Sequence, residues 1–85
     1  MSESYVLYLF HSCPYCARVR RFLERERIEM PMRDIQLDPA ARRELIGGGG
    51  SGMVPCLQIT HDDGTVEWMY ESLDIIDYLQ NKRAA

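Results

Sequence analysis

Residues Tyr5 to Cys16 read YVLYLFHSCPYC, a strand-like run that turns abruptly into a proline flanked by thiols. Tyr5 to Phe10 is apolar on both alternating faces and rich in β-formers, as expected of a central strand covered above and below. Pro14 suits the first position of a helix, where its missing N–H would have no partner in any case. From Pro14 to about Arg27, Tyr15, Cys16, Val19, Phe22 and Leu23 fall at helical spacing, with arginines and glutamates on the opposite face. A strand therefore feeds a helix at Cys13.

Working outward, Met32 to Leu37 reads as a second strand, and Asp38-Pro39 as the N-cap and first residue of a second helix running through Leu45 and Ile46. Five of the six glycines lie in Gly47 to Gly52. They predict a helix stop and a mobile connector, and they lack the Lys-Ser/Thr ending of a phosphate-binding loop. Val54 to Thr60 and Thr65 to Met69 flank His61-Asp62-Asp63-Gly64, an antiparallel hairpin with an Asp-Gly turn. Glu71-Ser72 precedes a last helix whose Leu73, Ile75, Ile76, Tyr78 and Leu79 make a broad apolar face. The order is β-α-β-α-β-β-α, an α/β fold.

At 85 residues the chain is expected to be one domain over 1–85, burying roughly 60 to 65% of its unfolded surface. Its 46% hydrophobic and 27% charged residues exclude disordered and fibrous classes. A formal charge of -3 gives no case for nucleic acid. The apolar run at Tyr5 to Phe10 is far too short to span a bilayer, and no secretory pattern opens the chain, so no membrane role is expected. Three cysteines, an odd count, fit a reducing compartment, with the cytoplasm as the default.

Cys13 and Cys16 lie three residues apart across a helix start, on one face, where they can close a small disulfide ring. At Cys13, unpaired backbone N–H groups and the helix dipole favour a thiolate. Cys16 is one turn inside and more enclosed. This asymmetry supplies a nucleophile, Cys13, and a resolving thiol, Cys16, as thiol-disulfide exchange requires. Two other readings of the pair remain: half of a zinc site completed by Cys56, His11 or His61, and two core cysteines. Cys56 itself reads as a core thiol and His11 as a loop histidine. The arginine-rich side of the first helix reads as a solvated face paired with Glu24, Glu26 and Glu29.

Cys-Pro-Tyr-Cys after a first strand, Met53-Val54-Pro55 before a third and Glu71-Ser72 at the last helix together resemble the dithiol glutaredoxins over nearly the whole chain. In finer detail, Val54-Pro55-Cys56-Leu57 and Tyr70 to Ile75 look more like the glutathione-transferase N-terminal domain and the bacterial glutaredoxin 2 branch. The resemblance implies a thioredoxin fold with a four-stranded mixed sheet and three helices. It implies glutathione-dependent reduction of disulfides and glutathione mixed disulfides by Cys13 and Cys16, with glutathione as reductant and no metal or tightly bound cofactor. Disulfide-bonded or glutathionylated proteins would be the partners and a monomer the working state.

The resemblance also assigns the ligand contacts. Val54 would present its backbone to the cysteinyl part of glutathione, and Tyr15 would flank the groove. The Ser72 hydroxyl and helix start would hold the γ-glutamyl carboxylate, while Glu71 takes the ammonium. Helix capping alone also explains Glu71-Ser72. X-Pro bonds are cis in only about 5–6% of folded cases, so sequence alone predicts a trans Val54-Pro55 bond, whereas the family has a cis proline there. The lysine that glutaredoxins usually carry three residues before the first cysteine is Phe10 here, leaving Arg18, Arg20, Arg42 or Arg43 for the glycyl carboxylate. Two rival functions stand beside this one: a transferase-like thiol transferase lacking the helical C-terminal domain, and a non-enzymatic module holding glutathione or an iron-sulfur cluster.

Overall fold

The computed structural model describes residues 3–84. Its elements are β1 (Ser4–Leu9), α1 (Pro14–Glu26), β2 (Met32–Asp34), α2 (Pro39–Gly49), β3 (Cys56–Thr60), β4 (Val66–Tyr70) and α3 (Ser72–Ala84). The strands form one mixed sheet in the order β2-β1-β3-β4. β1 runs parallel to β2 and antiparallel to β3, and β3 pairs antiparallel with β4. This is the thioredoxin-like α/β fold, β-α-β-α-β-β-α, that the sequence predicts.

The alternation of side chains along β1 and β3 divides the core into two layers. Leu7 and Leu9, with Leu57 and Ile59, pack with Cys16, Val19, Phe22 and Leu23 of α1 and Ile75 and Leu79 of α3. Tyr8 and Cys56 face the other way, into a cluster with Ile35, Ala41 and Leu45 on the α2 side. The two interior strands are therefore covered on both faces, which is why β1 reads as a continuous apolar run. Among the described residues no helix is long and apolar enough to cross a membrane.

Five local expectations are corrected. β2 ends at Asp34 instead of reaching Leu37, because the Asp34 carboxylate accepts the backbone N–H groups of Gln36 and Leu37, at 2.8 and 3.1 Å, and turns the chain. The helix that follows starts as expected, with Asp38 capping Ala40 and Ala41, but it continues through Gly47–Gly49 and stops only at Gly50, φ 88°. A Cβ at Gly48 would run into the Trp68 indole, and one at Gly49 into the Tyr70 hydroxyl. These two glycines are the flat surface on which β4 aromatics seat the helix; the connector is confined to residues 50–53. β3 begins at Cys56, because Val54 and Pro55 form a bend containing a cis peptide bond. Leu73 lies outside the apolar face of α3, 64% exposed. The hairpin strand β4 is Val66–Tyr70, one residue later than predicted.

Candidate functional site

Cys13 is the N-cap of α1, with extended backbone dihedrals (φ -78°, ψ 120°). Its amide donates to the Phe10 carbonyl at 3.3 Å, closing the turn that leaves β1. Its Sγ takes the place usually held by a Ser or Asp oxygen and accepts the Cys16 N–H at 3.3 Å. This is a direct geometric link between the two sulfur-bearing residues, and it uses one of the orphan donors of the helix start. Cys13 keeps a small accessible surface, 6%, and Cys16 none. Burial pushes the Cys16 thiol up to about 12, reinforced by the neighbouring Cys13 sulfur and opposed by the Phe10 amide and the Arg20 charge.

Beside this helix start opens a cleft of about 660 Å³ between α1, the residues before β3 and the start of α3. Tyr15, Val54, Pro55, Glu71 and Ser72, the five residues singled out in the sequence, all line it. The Val54-Pro55 bond is cis, contrary to the expectation from sequence alone and in agreement with the resemblance. Tyr15 stands on the rim, 57% exposed, instead of being tucked into the helix packing. Ser72 is nearly buried at the first position of α3. Glu71 adopts φ 78°, a left-handed conformation that costs a non-glycine residue energy. In that conformation its carbonyl accepts the Ile75 N–H at 3.1 Å and starts the helix.

The solvated-face reading of the α1 arginines is corrected at two positions. Arg18 lines the cleft, its Nη1 reaching the Ser72 hydroxyl at 3.4 Å and its guanidinium lying 5.6 Å over the Tyr15 ring. Arg20 is half-buried and bonds the His11 carbonyl. Arg25, with Glu26 at 3.6 Å, keeps the expected exposed pairing. Tyr70, Leu73 and Asp74 also line the cleft; they belong to the Tyr70 to Ile75 stretch that carries the resemblance, which assigns them no ligand role, and the pairing of β4 beside β3 and the turn into α3 bring them there.

The zinc alternative loses its partners. Cys56 lies in the α2-side layer with no exposed surface, its thiol pushed up to about 12 by burial. His61 is held by Glu3 and Glu67 at the far end of β1 and β3. His11 is exposed on the turn before Cys13.

Residues 12–82 match the family described as glutathione S-transferase, N-terminal domain. The chain belongs to this family. No curated protein sequence matches it, but solved structures do. Glutaredoxin 2 from Salmonella typhimurium, solved in complex with glutathione, is 28% identical with a TM-score of 0.74, over 96% of this chain and 35% of that one. The thioredoxin-like protein BC3987 is 27% identical with a TM-score of 0.67, over 92% and 97% of the two chains. A maleylacetoacetate isomerase from Anaeromyxobacter dehalogenans, with glutathione bound, shares the fold at 21% identity and a TM-score of 0.72. The chain spans little more than a third of the isomerase and about a third of glutaredoxin 2. Glutaredoxin 2, the thioredoxin-like protein and the isomerase thus share the scaffold of this chain, which carries on it the Cys13–Cys16 pair.

Proposed function

We propose that the chain is a glutathione-dependent thiol-disulfide oxidoreductase of the glutaredoxin kind, working as a single domain and a monomer in a reducing compartment such as the cytoplasm. The observation that carries this reading is the Cys16 N–H held on the Cys13 sulfur at 3.3 Å, at the start of the helix whose Tyr15 and Arg18 line the cleft.

In a glutathione mixed disulfide, the Cys13 thiolate attacks the glutathione sulfur. A Cys13–glutathione bond forms, the substrate sulfur leaves with the electron pair and takes a proton. A second glutathione thiolate attacks the glutathione sulfur on Cys13, giving glutathione disulfide and the free thiolate. In a protein disulfide, Cys13 becomes tethered to one substrate sulfur. Cys16, on the same helix face, then attacks Cys13 Sγ and releases the protein, and two glutathiones reduce the resulting Cys13–Cys16 disulfide.

For the ligand, Val54 offers backbone N–H and C=O groups to an extended tripeptide. Ser72 and the start of α3 suit the γ-glutamyl carboxylate, with the Arg18 charge beside them. Glu71 suits the ammonium, and Tyr15 covers the groove. The family match also favours a second reading, a transferase-like thiol transferase that needs only Cys13.

Turnover of a small glutathione mixed disulfide and of a protein disulfide, each coupled to glutathione reductase, separates the two. Cys16→Ser is expected to retain much of the first activity and lose most of the second. Equal retention of both would favour the one-cysteine transferase, and equal loss would make Cys16 a structural residue.

A further inference from the structure

Arg20 differs from the other arginines of α1. Arg21 and Arg25 are exposed and Arg18 lies in the cleft, whereas Arg20 is half-buried and reaches back to the turn that carries Cys13. Its Nη2 donates to the His11 carbonyl at 3.4 Å. Its Nε is shielded from solvent and has no hydrogen-bond partner, and no ion pair neutralises it among the described residues. The shielded Nε–H without an acceptor carries a desolvation cost, which an anion within the field of the guanidinium would offset. The helix repeat places one there: Cys16 lies four residues earlier, one turn along the same face.

We propose that Arg20 is a positioning residue for the resolving half of the reaction, fixing the His11–Ser12 turn behind Cys13 and supplying the positive field in which the Cys16 thiolate forms. This rests on the dithiol reading above.

Cys16 carries negative charge at two points of that cycle. In resolution its thiolate attacks Cys13 Sγ; the Cys13–Cys16 bond forms, the bond from Cys13 to the substrate breaks, and the substrate sulfur leaves with the electron pair and takes up a proton. In regeneration a glutathione thiolate attacks Cys13 Sγ, and Cys16 leaves as the thiolate before it is protonated. Burial works against both events. The titratable and charged groups bearing on Cys16 are Cys13 and Arg20, joined by the Phe10 amide from the end of β1. The remaining members of its cluster are aliphatic or aromatic, and the hydroxyls of Tyr5 and Tyr78 are committed to Glu3. Arg20 is therefore the formal positive charge that offsets burial of the resolving thiol.

The test is a single turnover with one equivalent of an aromatic disulfide, 5,5′-dithiobis(2-nitrobenzoate). Wild type is expected to release one aromatic thiolate as Cys13 reacts, then a second as Cys16 displaces the group left on Cys13. Arg20→Gln is expected to keep the first rate and slow the second about three- to tenfold, with its pH–rate profile displaced upward by about one unit. A one-unit shift lowers the thiolate fraction about tenfold, and the greater nucleophilicity of the more basic thiolate returns part of it. Arg20→Lys is expected to restore most of the second rate.

An unchanged second phase and profile in Arg20→Gln overturns the proposal, as does equal slowing of both phases without rescue by Lys. If Arg20→Gln does not fold, Arg20→Met, which keeps the apolar stem, gives the same reading. Loss of fold in both variants makes the role purely structural and overturns it as well. Release of a single equivalent by wild type would instead overturn the dithiol reading itself.

Discussion

Strand β1 joins two polar regions built on opposite plans. At its start, every member of a part-buried network is paired. The Glu3 carboxylate accepts the Tyr78 and Tyr5 hydroxyls at 2.7 and 2.8 Å, His61 Nδ1 at 2.9 Å and Lys82 Nζ at 3.3 Å, and His61 Nε2 turns to Glu67 at 3.1 Å. At its other end, Glu71 is held at φ 78°, the Arg18–Ser72 contact is long at 3.4 Å, and Arg20 Nε has no partner. Tyr15, Met53 and Leu73 expose apolar surface around the same cleft. The first region ties the N-terminal strand, the hairpin and the end of α3 together. The second leaves donors, acceptors and apolar area uncommitted, as a binding site does before its ligand arrives. Satisfaction marks a staple and its absence marks a site, even though both are assembled from the same residue types.

The comparison breaks most visibly if chemistry does not stay at the cleft end. Cys13→Ser is expected to lower turnover of a glutathione mixed disulfide by more than about a thousandfold, as loss of a nucleophile does, with little change in the denaturation midpoint. Glu3→Ala is expected to behave in the opposite way. Removing the acceptor of several charge-assisted hydrogen bonds costs about 1.5–3 kcal/mol, read by urea denaturation, while turnover per folded molecule stays at the wild-type level. A drop in turnover matching that in stability would erase the division between the two ends.

Ser72→Ala sharpens it from the cleft side. Losing one cap or carboxylate hydrogen bond, about 1–2 kcal/mol, is expected to weaken glutathione binding about tenfold, measured by titration calorimetry, with a stability loss no larger.

Next in size is the pH dependence of the staple. The Tyr78 hydroxyl bond, with those of Tyr5, Lys82 and His61, holds Glu3 down at about 2 against an ordinary 4.5. Its folded pKa is depressed, so its contribution is complete above about 4.5 and is lost as pH falls toward 2. Glu67, then Glu3, raise His61 above 6.5, against a desolvation that lowers it. Its contribution is complete below 6.5 and lost as pH rises through the raised value. Melting temperature across pH is therefore expected to be highest between about 4.5 and 6.5 for this cluster, with the alkaline decline flattened in His61→Gln. A decline unaffected by that substitution would remove His61 from the staple.

The smallest effect is expected at Cys56. Like Cys16 it is fully buried with its thiol pushed up to about 12, but it sits on the opposite face of the sheet, near the Tyr70 hydroxyl instead of a second thiol. Cys56→Ala should leave turnover unchanged and lower stability by about 1 kcal/mol, the cost of a small cavity. A measurable loss of turnover would show that the two layers of the core are coupled.

The sequence by itself determined whatever short-range chemistry encodes. The Pro14 start and helical period of α1, the Asp38 cap of α2 and the alternation along β1 and β3 are written within a few residues of where they act, and so is the placement of Cys13 at a helix start with Cys16 one turn inside. Five of the cleft residues, Tyr15, Val54, Pro55, Glu71 and Ser72, are singled out through the family resemblance, whose motifs fall at local breaks: a cysteine turn, an X-Pro bend and a helix cap. Tertiary structure decided what depends on which strands become neighbours. The glycine run is helical because Trp68 and Tyr70, about twenty residues later, press on Gly48 and Gly49. Arg18, Arg20 and Arg25 repeat one residue type along one helix, yet they meet Ser72, the His11 carbonyl and Glu26 respectively. Glu3 gathers groups up to 79 positions away, a convergence no local pattern can carry. Local propensity fixes where an element starts and which way it faces; the surroundings of a side chain are fixed only when sheet register brings distant segments together.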